Sequence, residues 1–328
     1  MIITRTPFRM SFVGGGSDLP SFYTHCPGHV ISTTIDKYMY ISIHKKFFDN
    51  IRINYSKTEE VANVSEIQHP IVRETLKHMD INDSIEISSL ADIPSKGSGL
   101  GSSSSYTVGL LNALHIYKKT KTSKRDLAEN AFFIESSLCG EPGGKQDQYA
   151  AAFGGMNHYI FNPDGSVEIE PINLSDKAKQ NLSSSILMFY TGYTRRSSLP
   201  LNDVIGNMKT NKNKIQTLKE MSLLYLDFKS ALINGDIRIL GEILDESWQL
   251  KKSLSDIVSS SSIDDLYKKA LNSGAIGGKI LGAGNGGFLM FLVSEDKINS
   301  VKDSLKDLRE VKVNFDYNGT QQIFNDNE

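Results

Sequence analysis

The sequence predicts a protein of mixed α and β structure, built as two domains or as one large domain. The chain has 328 residues, more than most single domains contain. Its first half mixes strand-like and helix-like segments. Its second half is mainly helical from about residue 201 to 272 and then enters a glycine-rich turn and an apolar strand. We place the boundary near residues 175–185, which gives domains of residues 1–180 and 181–328.

Three segments have the alternation and the aromatic and β-branched content of strands. They are YMYISIH (Tyr38–His44), SIEISSL (Ser84–Leu90) and SSILMFYTG (Ser184–Gly192). Near the C-terminus, FLMFLV is uniformly apolar, which is typical of a buried strand.

Two long helices are predicted between the second and third of these strands. From Ser104 onward, apolar residues recur at three-residue steps, as on one face of a helix. A second helix begins after Ser123, a residue type favoured at the N-cap, and extends to Leu138. Its apolar stripe is predicted to contain Leu127, Ala131, Ile134 and Leu138.

Composition excludes several functional classes. Hydrophobic residues make up 39% and charged residues 23% of the chain, as in ordinary globular proteins, and the net charge of −2 gives no electrostatic reason to bind nucleic acid or membrane. No segment approaches the roughly 20 apolar residues that span a bilayer. The two cysteines, Cys26 and Cys139, form no disulfide framework and have no metal-ligand spacing. We therefore expect a cytoplasmic protein whose main partner is neither nucleic acid nor membrane. Its expected oligomeric state is left open between monomer and homodimer.

The segment PSKGSGLGSSSS places three glycines directly before a helix. A loop without side chains lets backbone N–H groups converge, and the helix N-terminus adds unpaired donors and a positive dipole end. This pattern favours an anion site, most commonly for phosphate, over a flexible linker. It does not match a Walker A loop, because no lysine follows the glycines. Gly282, Gly284 and Gly287 match G-x-G-x-x-G, but a strand follows them where a dinucleotide site needs a helix.

Two carboxylates are candidates for chemistry. Glu135 lies at the edge of the apolar stripe of the second helix, where burial would require compensation by a metal ion, an arginine or the helix end. Asp147 follows a glycine pair and falls in the first turn of a short helix, QDQYAAAF, where the helix dipole favours its ionised form. Such an aspartate either caps its helix or accepts a proton from a substrate hydroxyl.

Near the N-terminus, RTPFRMSFVGGGSDLP has three glycines followed by Ser17 and Asp18. The glycines make a tight turn, rich in donors, that suits a polyol. Arg9 precedes this turn by about one strand length. The alternative is a hairpin turn with an exposed arginine.

In combination, these motifs resemble the GHMP kinases, the superfamily of galactokinase and of homoserine, mevalonate and phosphomevalonate kinases. TPFRMSFVGGGSD, PSKGSGLGSSSS and KILGAGNGGF occur in the family's order and span nearly the whole chain. The resemblance implies an α+β, two-domain fold: a ribosomal-protein-S5-like N-terminal domain, a ferredoxin-like C-terminal domain and an active site in the cleft between them. One departure is Asn285, where the third motif commonly has glycine; asparagine tolerates left-handed backbone angles, so the turn is expected to survive.

The resemblance also implies ATP and Mg²⁺ as cofactors and a set of roles. Asp147 and Arg9 are implied as catalytic, and Ser103 and Glu135 as the metal ligands. The implied ATP-binding residues are Pro94, Ser95, Lys96, Gly97, Ser98, Gly99, Leu100, Gly101, Ser102, Ser103 and Ser104. The implied substrate contacts are Arg9, Gly16, Ser17, Asp18, Lys145, Asp147, Gly192, Arg195 and Arg196.

Within the family, the chain most resembles the bacterial branch that phosphorylates the anomeric hydroxyl of D-glycero-D-manno-heptose 7-phosphate. Lys145, Arg195 and Arg196 are then the candidate cations for the 7-phosphate. Two alternatives stay open: a fucokinase-like or other sugar-1-kinase whose acceptor carries no phosphate, and a non-catalytic relative that binds a sugar or nucleotide.

Overall fold

The fold contains two β-sheets with helices packed against them. A computed structural model describes residues 1–82, 84–94, 97–193 and 198–326. The strands are β1 (Ile2–Val13), β2 (Gly28–Lys45), β3 (Ile51–Asn54), β4 (Thr58–Val61), β5 (Ile85–Ala91), β6 (Met156–Phe161), β7 (Val167–Pro171), β8 (Ile186–Tyr190), β9 (Ala275–Ile280), β10 (Phe288–Val293), β11 (Arg309–Glu310), β12 (Phe315–Asp316) and β13 (Gln321–Asn325). The helices are α1 (Pro20–Tyr23), α2 (Pro70–His78), α3 (Ser102–Tyr117), α4 (Lys124–Phe133), α5 (Gln146–Phe153), α6 (Asp176–Ser185), α7 (Ser198–Thr210), α8 (Lys212–Leu223), α9 (Tyr225–Asn234), α10 (Ile237–Leu254), α11 (Ser261–Asn272) and α12 (Ile298–Ser304).

The larger sheet is built around the long strands β1 and β2. Within the described ranges it has nine strands, with the main order β13-β1-β2-β5-β3-β4; β12 and β6 also pair with β2, and β7 pairs with β6. Pairing is antiparallel except between β3 and β5. The last two strands of the chain therefore lie in the same sheet as the first.

The smaller sheet has the order β11-β8-β10-β9 and is antiparallel. Every residue of β10 is buried, as the apolar run FLMFLV predicts. The strand predicted at Tyr38–His44 is confirmed as part of β2. The strands predicted at Ser84–Leu90 and Ser184–Gly192 are confirmed as β5 and β8, but β5 begins one residue later, and β8 is shorter because Ser184 and Ser185 belong to α6. The helix predicted from Ser104 is confirmed as α3, which begins two residues earlier.

Two hydrophobic cores stabilise the protein, and α10 contributes to both. Leu240 and Leu244 belong to the core beneath the larger sheet, whereas Trp248 and Leu254 belong to the core around the smaller sheet. A single continuous helix thus connects the two cores. Across the described ranges, no helix combines the length and apolar character needed to cross a membrane.

A stacked histidine pair joins β2 to β6 and α9. The rings of His29 and His158 each stack on Tyr225, with centroids 4.2 and 4.4 Å away. Nδ1 of His29 lies 3.0 Å from Nε2 of His158, whose Nδ1 lies 2.8 Å from Glu170. This series of hydrogen bonds fits two neutral imidazoles, each with one N–H. Burial first, and then the neighbouring His158, lowers the pKa of His29 to about 4.

We expect the free energy of unfolding to fall as pH is lowered from about 6.5 towards 4. Unfolded His29 takes up a proton in that window, whereas folded His29, with its lowered pKa, does not. In His29→Gln the slope of stability against pH should be smaller by about 1 kcal/mol per pH unit. Urea unfolding at several pH values measures this slope, and His25→Gln, at an exposed position, is the control. Equal slopes in wild type and His29→Gln would refute the expectation.

Candidate active site

The predicted phosphate loop forms a glycine-rich turn that ends at the N-terminus of α3. Gly99 and Gly101 have φ angles of +76° and +72°, and Gly101 is the N-cap residue. Ser105 makes its backbone bond to the carbonyl of Gly101, which leaves the N–H groups of Ser103 and Ser104 outside the intrahelical ladder. The loop thus presents main-chain donors and the positive end of a 16-residue helix.

Several side chains of the loop stabilise the loop and do not face a ligand. Leu100 is fully buried in the core, and the Ser98 hydroxyl accepts from the Leu100 N–H at 3.3 Å. Pro94 and Ser103 are exposed. Ser95 and Lys96 lie outside the described residues. The loop therefore offers mainly backbone groups and the Ser103 hydroxyl to a ligand.

The third glycine motif packs directly on the phosphate loop. A Cβ added to Gly99 would lie 2.2 Å from the Leu281 carbonyl oxygen, and one on Gly282 would lie 2.4 Å from Cα of Gly99. Main chain therefore contacts main chain with no room for a side chain. Asn285 adopts a φ of +58°, so the expectation that asparagine preserves this turn is confirmed.

Arg9 and Asp147 form a two-pronged ion pair beneath the loop. Nε of Arg9 donates to Oδ1 of Asp147 at 2.7 Å, and Nη2 donates to Oδ2 at 2.9 Å. Nη1 donates to the carbonyl of Gly99 at 2.6 Å, and the Arg9 main chain also bonds to Leu100. Arg9 is only 4% exposed, so the alternative of a hairpin with an exposed arginine is wrong.

Asp147 lies in the first turn of α5, which ends at Gly154 as the sequence predicts. Its carboxyl is close to the N-terminus of α3, because a Cβ on Gly101 would be 3.3 Å from Cγ of Asp147. The carboxylate has about four acceptor positions, and Arg9 uses two of them. Asp147 therefore keeps acceptor capacity beside the phosphate loop.

Glu135 turns inward at a change in helix type. The helix predicted to reach Leu138 is α-helical only to Phe133, and residues Ile134–Leu138 form a π-helical turn. The wider turn shifts the register, so Glu135 is 8% exposed while Leu138, predicted in the apolar stripe, is 40% exposed. The predicted position of Leu138 is thus wrong, and Glu135 is buried more deeply than expected.

The Glu135 carboxylate faces the first turns of α3 and α5. Its Oε2 accepts from the Ser104 hydroxyl and from Nε2 of Gln148, both at 2.9 Å. Its Oε1 is buried without a hydrogen-bond partner among the described residues. Burial raises the pKa of Glu135 to about 7, and the nearby Asp147 acts in the same direction. A neutralising cation at Oε1 would remove this cost.

Asp18 connects the N-terminal glycine turn to α5. Its Oδ1 accepts from the Gly16 N–H and the Gln146 side chain at 3.0 Å, and its Oδ2 from the Gln146 N–H at 3.2 Å. The fit requires Gly144, whose Cβ would lie 2.0 Å from Asp18 Oδ2. Burial and the nearby Asp147 raise the pKa of Asp18. The Ser17 hydroxyl is fully buried against Gly14 and His29, so it supports the turn rather than facing a ligand.

The ammonium group of Lys145 is held by groups other than those of the predicted substrate site, although its main chain adjoins Asp18. Its Nζ donates to both oxygens of Glu129 at 2.9 Å and to the Gly165 carbonyl at 2.8 Å. These contacts use all three ammonium donors, so we assign Lys145 no substrate phosphate. Gly192 is exposed, with a φ of +77°. Arg195 and Arg196 lie outside the described residues.

Sequence reasoning missed two buried polar atoms near Asp18. Ser11 Oγ and Gln146 Oε1 have no hydrogen-bond partner among the described residues. A Cβ on Gly15 would lie 3.7 Å from Ser11 Oγ and 3.9 Å from Nε2 of Gln146, so these two side chains flank the glycine turn. Ser11 lies within the N-terminal glycine motif and Gln146 directly precedes Asp147, so their places in the sequence could have marked both residues as candidates.

Comparisons with known proteins identify the family of the chain. Family models described as "GHMP kinases N terminal domain" and "GHMP kinases C terminal" match residues 66–155 and 228–309. The D-glycero-alpha-D-manno-heptose 7-phosphate kinase of Campylobacter jejuni is 32% identical over 314 residues, covering 90% of each chain. The chain belongs to the GHMP kinases. It is accordingly a phosphotransferase.

Other GHMP kinases share the fold over nearly the whole chain. A crystal structure titled as a D-glycero-D-manno-heptose 1-phosphate kinase from Bacteriodes thetaiotaomicron superposes with a TM-score of 0.82 at 25% identity, covering 99% of both chains. The bifunctional fucokinase/GDP-fucose pyrophosphorylase of Arabidopsis thaliana is 25% identical over 94% of this chain and 31% of its own length. The two-domain GHMP fold expected from the motifs is confirmed. The boundary near residue 180 stays a prediction.

Replacing Gly99 by alanine should damage the loop. The new Cβ would collide with the Leu281 carbonyl, and the φ of +76° disfavours alanine. We expect a loss of about 1–3 kcal/mol of stability together with weaker ATP binding. Chemical denaturation and calorimetry measure the two effects. Gly143→Ala, where a Cβ would meet no atom within 4 Å, is the matched control. Wild-type behaviour of Gly99→Ala would contradict the proposed packing.

Proposed function

We propose that this kinase transfers the γ-phosphoryl group of ATP to the anomeric hydroxyl of D-glycero-D-manno-heptose 7-phosphate, forming the 1,7-bisphosphate. The main support is the position of Asp147, held by Arg9 directly under the N-terminus of α3. This arrangement puts a proton acceptor next to the place where backbone donors would hold a polyphosphate. The product would lead to an activated heptose for cell-surface polysaccharide.

In the proposed complex, the loop from Gly97 to Ser104 and the N-terminus of α3 bind the ATP phosphates. Magnesium ions in kinases are commonly held by one or two carboxylates together with nucleotide phosphates. Glu135 fits this role because its Oε1 is buried without a hydrogen-bond partner among the described residues, and because burial, which raises its pKa to about 7, disfavours the unneutralised carboxylate. Ser103 remains the proposed hydroxyl ligand, while its neighbour Ser104 orients Glu135. Bound Mg²⁺ would neutralise charge on the phosphates.

Asp147 is proposed to align the acceptor hydroxyl and to receive its proton. Its two-pronged ion pair with Arg9 holds the carboxylate in one orientation. Phosphoryl transfer has a loose transition state, so positioning and charge neutralisation supply most of the rate. An anomeric hydroxyl is also more acidic than an ordinary alcohol, which reduces the demand on the base.

The acceptor is proposed to lie along the glycine turn that carries Asp18. Asp18 accepts three hydrogen bonds from the protein, which leaves capacity for about one hydroxyl. Ser11 Oγ and Gln146 Oε1 offer further partners for sugar hydroxyls. The heptose substrate itself is proposed from the names of the relatives, of which the Campylobacter enzyme is similar over 90% of its length.

A coupled assay of ATP consumption against several acceptors tests the proposal. We expect the highest kcat/KM with D-glycero-D-manno-heptose 7-phosphate, and lower values with fucose, galactose, mannose and mevalonate. Phosphorus NMR of the product should show a second phosphate at the anomeric carbon. Higher kcat/KM with fucose or another unphosphorylated sugar would support the sugar-1-kinase alternative, and no turnover of any acceptor would refute a sugar kinase function.

Asp147→Asn should lower kcat by about 10²–10⁴-fold, because the amide cannot accept the proton and loses the charge pair with Arg9. Steady-state kinetics with saturating ATP measures the effect. Asp227→Asn is the matched control, since Asp227 is also an acidic residue in a helix first turn but is exposed. Turnover of Asp147→Asn within about threefold of wild type would leave Asp147 only an electrostatic role.

A further inference from the structure

Two lysines reach the site from the C-terminal half of the chain. Lys251, on α10, donates from Nζ to the carbonyl of Gly282 in the third glycine motif. Lys279, on β9, is 4% exposed and donates to the carbonyl of Phe12 at 2.7 Å. Phe12 lies near the end of β1, between Arg9 and the glycine turn that leads to Asp18. Both side chains thus extend from the smaller sheet and its helix to the cleft.

Neither lysine has a carboxylate partner among the described residues; each ammonium has a single hydrogen-bond acceptor there, a backbone carbonyl. Buried charges are normally paired, so this arrangement lacks an anion. Burial first, and then the charge of Arg9, lowers the pKa of Lys251 to about 8. Burial, Lys251 and Arg9 lower the pKa of Lys279 well below its usual value. A bound anion would relieve both shifts.

The position of the pair favours the acceptor side of the cleft. The backbone donors of the phosphate loop and α3 already provide for a nucleotide. The carboxylate that opposes the shift in the pKa of Lys251 is Asp18, at the glycine turn. Lys279 bonds to the strand that enters the same turn. An anion at the two lysines would therefore lie beside the sugar, at the border with the phosphate loop, because Gly282 packs on Gly99.

We propose that Lys251 and Lys279 form a binding site for a phosphate monoester carried by the acceptor sugar, at a position distant from the reacting hydroxyl. The inference rests on the proposed kinase function and assigns the cations that its phosphorylated substrate requires. Lys251 is the directly contacting residue, since it is less buried than Lys279. Lys279, which is more deeply buried, contributes positive charge to the site without direct contact.

The test compares one sugar with and without its phosphate. KM is measured for D-glycero-D-manno-heptose 7-phosphate, for the unphosphorylated heptose and for ATP, and calorimetry measures the binding of each sugar without ATP. In Lys251→Gln we expect KM and Kd for the phosphorylated sugar to rise about 10- to 100-fold, as for a lost charged hydrogen bond. Values for the unphosphorylated sugar and ATP should change less than about twofold, and Lys251→Arg should retain most of the preference.

Lys252→Gln is the matched control. Lys252 follows Lys251 on the same helix but points to Asp264, 3.5 Å away, and should leave all constants unchanged. Equal losses for both sugars, a loss confined to ATP, or no loss would each overturn the inference. If Lys251→Gln does not fold, inhibition of the wild-type enzyme by inorganic phosphate tests the inference instead. Competition of inorganic phosphate with the phosphorylated sugar supports the site, and competition with ATP alone refutes it.

The outcomes also separate the two proposals. If the wild type phosphorylates sugars but shows no preference for the phosphorylated one, the kinase function stands and the phosphate site fails. If the wild type turns over no sugar, the proposed function fails, and calorimetry with the two sugars still decides the role of Lys251.

Discussion

The contacts of Arg9 are the interaction on which the site depends. One guanidinium binds both oxygens of Asp147 and the carbonyl of Gly99, while the Arg9 main chain bonds to Leu100. Strand β1, the phosphate loop and helix α5 are thereby joined at one buried point. Because a guanidinium is planar and its donors are fixed, this junction sets the distance between the loop and the carboxylate. Phosphoryl transfer depends on that distance more than on any single strong acid or base.

The glycines of the phosphate loop, of the third motif and of the segment that carries Asp147 act as parts of one packed unit. Gly99 and Gly282 bring the phosphate loop against the third motif, and Gly144 makes room for Asp18. Each contact lets a main-chain or carboxylate group approach where a Cβ would collide. Segments more than a hundred residues apart in sequence therefore position one another, and the third motif contributes by supporting the loop.

The cleft contains buried acidic and basic side chains, and burial disfavours the charged form of each. The pKa of Glu135 is raised to about 7, and that of Lys251 is lowered to about 8, in each case mainly by burial. Mg²⁺ at the carboxylate and phosphate at the lysine would each stabilise the charged form. On this interpretation, part of the binding free energy of the ligands is the removal of desolvation costs already present in the protein.

The sequence by itself determined the features that depend on local geometry: the glycine turns, the cap at Ser123 and the position of Asp147 in a helix first turn. These follow from backbone preferences and from periodicity, which neighbouring residues encode. Tertiary structure decided the partners of the side chains. The π-helical turn directs Glu135 inward, and α10 brings Lys251 into the cleft. The ammonium group of Lys145 binds Glu129 rather than a ligand. Ion pairs and burial depend on residues far apart in the chain, and a local pattern carries no information about which of them will meet.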